Sequence, residues 1–210
     1  MKKVLVYGDS NVWGDNFITS IRLDDDKQWI NIVQKNVGNK FKMLQEGLPG
    51  RIAGSYEVDK KFKNGKDTYL SIFRTCAPVD IIIIALGTND LQMKYNRSSK
   101  DIIDDLLWYE EIIKEEFEDE DNKKKYFVDM KLPQFIYILP PNFDYIKDAS
   151  VIFDEDREKT RQEIIEYFKN DNKVCISSND ISLVEDGIHY SQEGHKQMAE
   201  LVGGLLKKYE

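Results

Sequence analysis

A chain of 210 residues is long enough to bury one core without disulfides or a structural metal, so a single domain over residues 1–210 is expected. Its net charge of −8, with 32% charged against 41% hydrophobic residues, fits a soluble globular chain rather than a disordered one. That acidic balance makes nucleic acid and anionic membranes poor partners.

In chain order, Met1-Lys2-Lys3 leads into the apolar run Val4–Tyr7, too short for a signal-peptide core or a membrane span. A cytoplasmic protein that starts directly with its first strand is the expectation. A helical pattern covers Lys27–Val37, a second strand Phe41–Leu44, and another helix Thr68–Cys76. The run Val79–Leu86 is almost continuously apolar, as a central parallel strand covered on both faces would be. A long helix follows from Ser99 to Glu118. The charge blocks across residues 110–125 read as a solvated helix end and loop.

A fourth strand is expected at Phe135–Leu139, and the irregular stretch Pro140–Ser150 should cover one end of the sheet. A helix over Asp154–Lys169, a strand at Val174–Ser177 and a helix over Ser191–Lys208 complete the pattern. In the last helix Met198, Leu201, Val202, Leu205 and Leu206 recur at helical spacing and read as core. Strands alternating with helices predict a three-layer α/β/α fold, with a flavodoxin-like parallel sheet of about five strands.

In such a sheet, ligands meet the loops that leave the carboxyl ends of the strands. Four of those loops carry chemistry: Gly8-Asp9-Ser10, Glu46-Gly47-Leu48-Pro49-Gly50-Arg51, Gly87-Thr88-Asn89-Asp90 and Asp186-Gly187-Ile188-His189. A serine hydroxyl becomes a nucleophile when a histidine, oriented by a carboxylate, takes its proton. Ser10, His189 and Asp186 supply that trio, and the spacing of Asp186 from His189 lets one turn present both side chains. The Ser10 N–H, the Gly47 N–H and the neutral Asn89 amide could hold a developing oxyanion. Asp9 reads as a brace for the turn beside the serine, and His195 as a packing or capping side chain.

These residues stand in the motifs "GDSNVWG", "EGLPGR", "LGTND" and "DGIHYSQEGH". With them the chain, from Lys3 to about Leu206, resembles the SGNH or GDSL hydrolase family, named for a Ser, Gly, Asn and His in four separate motifs. The resemblance implies Ser10 as nucleophile, Gly47 and Asn89 in the oxyanion hole, His189 as general base and Asp186 as its orienting carboxylate. Trp13 and "EGLPGR" are most like the bacterial arylesterase and acyltransferase branch, whose members act on small esters and are often oligomeric. Ile52, where that branch usually has Thr, and the charged 110–125 segment depart from it.

The activity implied is hydrolysis of a small carboxylic ester, with no cofactor and no metal; Cys76 and Cys175 form no CxxC motif and flank no histidine cluster. Trp13, Leu48, Arg51, Leu91, Phe143 and Ile188 are candidates for the substrate pocket, although Arg51 could equally brace its loop through an ion pair with Glu46 or Asp90. Two other readings use the same loops. One is O-deacetylation of carbohydrate or cell-wall material, and the other is a flavodoxin-like binding module whose first loop would hold a phosphate.

Overall fold

The structure, a computed structural model, describes residues 1–58, 60–147 and 151–210. In chain order the elements are β1 (Lys2–Gly8), α1 (Ser10–Trp13), β2 (Asp15–Asn16), β3 (Ile21–Arg22), α2 (Trp29–Val37), β4 (Phe41–Gly47) and α3 (Gly65–Cys76). There follow β5 (Ile81–Ala85), α4 (Ser99–Glu118), α5 (Glu120–Tyr126), β6 (Gln134–Ile138), α6 (Glu155–Asn170), β7 (Cys175–Ile176) and α7 (Gln192–Leu206).

The central sheet has the order β4-β1-β5-β6-β7, and every pair in it is parallel. All five expected strands are present. Side chains alternate between faces along each strand. Leu5, Tyr7, Ile82, Ile84, Phe135 and Tyr137 meet α3, α4 and α6 through Tyr69, Phe73, Ile102, Leu106, Tyr109, Ile164 and Phe168. Val4, Val6, Ile81, Ile83, Ile136 and Ile138 meet α2 and α7 through Trp29, Ile30, Val33, Met198, Val202 and Leu206. Both faces of the sheet are therefore buried, which is why its strands read as apolar runs rather than as alternating ones.

The order reverses beside β1: the chain passes from β1 to β4 on one side and then crosses to β5 on the other. The crevice above β1 and β5 is thus the switch point where such sheets bind ligands. Gly8 lies opposite both Gly47 and Ala85, so the loops after β1, β4 and β5 leave the sheet level with one another.

Two features differ from expectation. The loop after β1 contains the single turn α1, followed by the hairpin β2–β3. Residues 120–126 form α5 rather than a loop; Asp119 caps it by accepting the Asp121 and Asn122 N–H groups. Acidic residues in its first turn and lysines in its last suit the helix dipole, so it holds without burying any residue. In the stretch Pro140–Ser150, residues 148–150 lie outside the described residues.

Candidate active site

Asp9 ends the turn out of β1 as the N-cap of α1. Its carboxylate accepts the Asn11 N–H at 3.0 Å, and this sets Ser10 at the start of the helical turn. Asp9 is buried, also hydrogen-bonds the Thr88 side chain of the loop after β5, and burial pushes its pKa up to about 6.

The second half of the site comes from the turn before α7. Gly187 adopts φ +72°, a conformation that L side chains rarely take, and the chain doubles back there. Within this turn one oxygen of Asp186 accepts the Ile188 and His189 N–H groups at 2.9 and 3.0 Å. The other oxygen lies 2.5 Å from His189 Nδ1. His189 Nε2 lies 2.9 Å from Ser10 Oγ. With Nδ1 donating to the carboxylate, Nε2 is the ring nitrogen free to accept a proton from the serine, a tautomer assigned from these contacts.

Burial disfavours the imidazolium, but the Asp186 hydrogen bond and charge, with Asp15 and Asp9 further away, hold the His189 pKa above its ordinary value. For Asp186, burial acts upward, and the bonds from His189 and from the His189 and Ile188 N–H groups outweigh it, leaving the carboxyl below the usual range. Both shifts favour the ionised pair, an imidazolium beside a carboxylate.

Gly47 closes β4 where α1 crosses it. A Cβ at this position would fall 2.3 Å from Trp13 N and 2.6 Å from Trp13 Cα, so only glycine allows the two backbones to approach this closely. Asn89, half-buried after β5, donates from Nδ2 to the Arg51 carbonyl at 3.1 Å and accepts from Gln92 Nε2 at 3.0 Å. Those bonds fix which end of the amide is nitrogen, and one amide hydrogen stays uncommitted to Arg51.

The model of the GDSL-like lipase/acylhydrolase family matches residues 4–202. The chain belongs to this family. Among solved structures, the inhibitor-bound aryl esterase of M. smegmatis is similar with a TM-score of 0.83 and 20% identity, over 99% of each chain. A carbohydrate acetylesterase from Sinorhizobium meliloti is similar with a TM-score of 0.82 and 18% identity, over 100% of each chain. A lipase/acylhydrolase from Enterococcus faecalis gives 0.67 at 19% identity, over 100% of this chain and 97% of that one. Curated proteins include no match to the sequence. Membership of a hydrolase family removes the reading of the chain as a phosphate-holding binding module.

In this GDSL-family chain, the residues expected to line a substrate pocket divide into two groups. Trp13, Leu48 and Ile188 are half-buried on loops that carry Ser10, Gly47 and His189. Leu91, Phe143 and Arg51 are buried in the interior instead. Leu91 joins the core beneath the loop after β5, and Phe143 stacks on Phe153 with ring centroids 4.0 Å apart. The Arg51 guanidinium donates to the Gly8 and Glu46 carbonyls and lies 4.0 Å from the centre of the Tyr7 ring.

Arg51 therefore braces its loop, as one of the two readings expected, but through backbone carbonyls rather than an ion pair. Asp90 is engaged elsewhere, accepting the Ala53 N–H and the Tyr56 hydroxyl. His195 packs in the interior and accepts the Trp29 N–H at 3.3 Å, a capping contact to the start of α2. Among the described residues, no group of three or more His, Cys, Asp or Glu could hold a metal ion, and no helix is long and apolar enough to cross a membrane.

Sequence reasoning missed Asn11. Its side chain bonds to the residues on either side of His189, partners 177 and 179 positions away. No local pattern signals so distant a contact.

Proposed function

We propose that the chain is a serine esterase that cleaves small carboxylic esters through an acyl-enzyme on Ser10. The observation that carries this reading is the unbroken line Ser10–His189–Asp186, whose two ends come from opposite ends of the chain. Ser10 Oγ attacks the ester carbonyl carbon while its proton passes to His189 Nε2, and Asp186 stabilises the resulting imidazolium. The carbonyl oxygen becomes an oxyanion held by the Ser10 and Gly47 N–H groups and the Asn89 amide, each donor contributing roughly 2.7–4 kcal/mol to the transition state. Collapse breaks the bond to the alcohol oxygen, which leaves with the proton from His189. Water then attacks the acyl carbon, with His189 again taking and returning the proton, and the acid is released.

Trp13, Leu48 and Ile188 give the rim an apolar character suited to an aryl or short acyl group. Similarity over the full chain to a carbohydrate acetylesterase favours a second reading, O-deacetylation of sugars by the same site. Rates on acetylated sugars against aryl esters of increasing chain length separate the two. A homo-oligomeric assembly, implied by the resemblance to the arylesterase branch, and a cytoplasmic location belong to the proposal as well. Hydrolysis of a chromogenic short-chain ester tests the chemistry: Ser10→Ala should lower kcat by about 10⁴-fold or more while the protein stays folded. A folded Ser10→Ala protein with its turnover intact would contradict it.

A further inference from the structure

Asn11 follows the candidate nucleophile, and every polar group it carries is engaged. Its Oδ1 accepts the Tyr190 N–H at 2.9 Å, and its Nδ2 donates to the Ile188 carbonyl at 3.4 Å. One buried amide thus grips the backbone on both sides of His189. Its own N–H is held by Asp9 at 3.0 Å and its carbonyl by the Trp29 indole N–H at 3.1 Å, so the amide projects from a fixed base.

The loop that carries His189 closes on itself without Asn11. Val184 N–H donates to the His189 carbonyl at 2.9 Å, Gly187 N–H to the Val184 carbonyl at 3.0 Å, and Leu183 bridges Tyr190. The His189 ring is aimed by Asp186 from within that loop. What Asn11 adds is placement of the whole loop relative to Ser10. We infer that Asn11 is a positioning residue that sets the reach between Ser10 Oγ and His189 Nε2, an inference that rests on the proposed serine mechanism.

A displacement of about 1 Å between reacting groups costs on the order of 100-fold in rate. Asn11→Ala should lower kcat about 10- to 100-fold with KM within about twofold. The acid limb of the pH profile should keep its midpoint, because the His189–Asp186 pair is untouched. Asn11→Ser, whose hydroxyl is too short to span both contacts, should give the same pattern and carries the test if the alanine variant fails to fold.

Wild-type protein is first treated with a fluorophosphonate and the adduct mapped. A labelled Ser10 followed by a fall in kcat alone supports the inference. A labelled Ser10 with unchanged kcat in the folded variant, a change in KM alone, or a shifted acid limb overturns it and leaves the serine mechanism standing. An unlabelled Ser10 overturns both.

Discussion

At the scale of single residues, protonation divides the groups around Ser10 by role. In the proposed mechanism His189 must be neutral to accept the serine proton, and its pKa is held above the ordinary value near 6.5 by the Asp186 partnership that outweighs its burial. Ester hydrolysis should therefore rise with pH along a limb whose midpoint lies above that value; a pH–kcat/KM profile with a midpoint below it contradicts the pairing. Asp9 is different, because burial raises its pKa to about 6 while its carboxylate serves α1 as a cap. The folded protein then binds the Asp9 proton more tightly than the unfolded chain does. Its contribution to stability is fully present below the ordinary carboxylate pKa and is lost as pH rises through about 6. Asp9→Asn keeps the capping oxygen and removes the buried charge. At pH 7 the variant should be more stable by on the order of 2 kcal/mol, unfolding at a higher denaturant concentration, with turnover retained within a few-fold. A collapse of turnover comparable to that of Ser10→Ala would make Asp9 a reacting group.

At the scale of elements, His195 joins two helices. Trp29 opens α2, and its N–H is one of the first-turn donors that a helix cannot satisfy itself; His195 of α7 accepts it. Burial pushes the His195 pKa down to about 4, which keeps the ring a neutral acceptor. His195→Ala removes a packed side chain and strands that N–H, at a cost of about 2–4 kcal/mol. Denaturant unfolding should show the loss while kcat below the transition stays within a few-fold; a catalytic collapse at full stability would contradict it. The elements legible in the sequence are those with a buried stripe or a continuous apolar run, such as Ile81–Ala85 and the Met198–Leu206 face of α7. Those that escaped have no such signal: α1 is a single turn, β2 and β3 are two residues each, and α5 buries nothing.

At the scale of the whole molecule, the strand order brings residues from both ends of the chain to one edge of the sheet. The four site loops were legible because each interrupts an apolar run, or precedes the last helix, with glycine beside a polar side chain. Depth was not legible. Leu91, Phe143 and Arg51 sit on loops near that edge, but loop membership does not tell whether a side chain faces the rim or the core, and the fold turns all three inward. Asn11 was hidden for a related reason, since its partners are distant in sequence and close only across the folded edge. The central claim is that this edge activates Ser10 as a nucleophile. The most direct measurement is mass-spectrometric mapping of the adduct left on intact protein by a fluorophosphonate, with folded Ser10→Ala as the control. A single adduct on Ser10, absent from the control, is the predicted result; no adduct, or one on another residue that persists in Ser10→Ala, would contradict it.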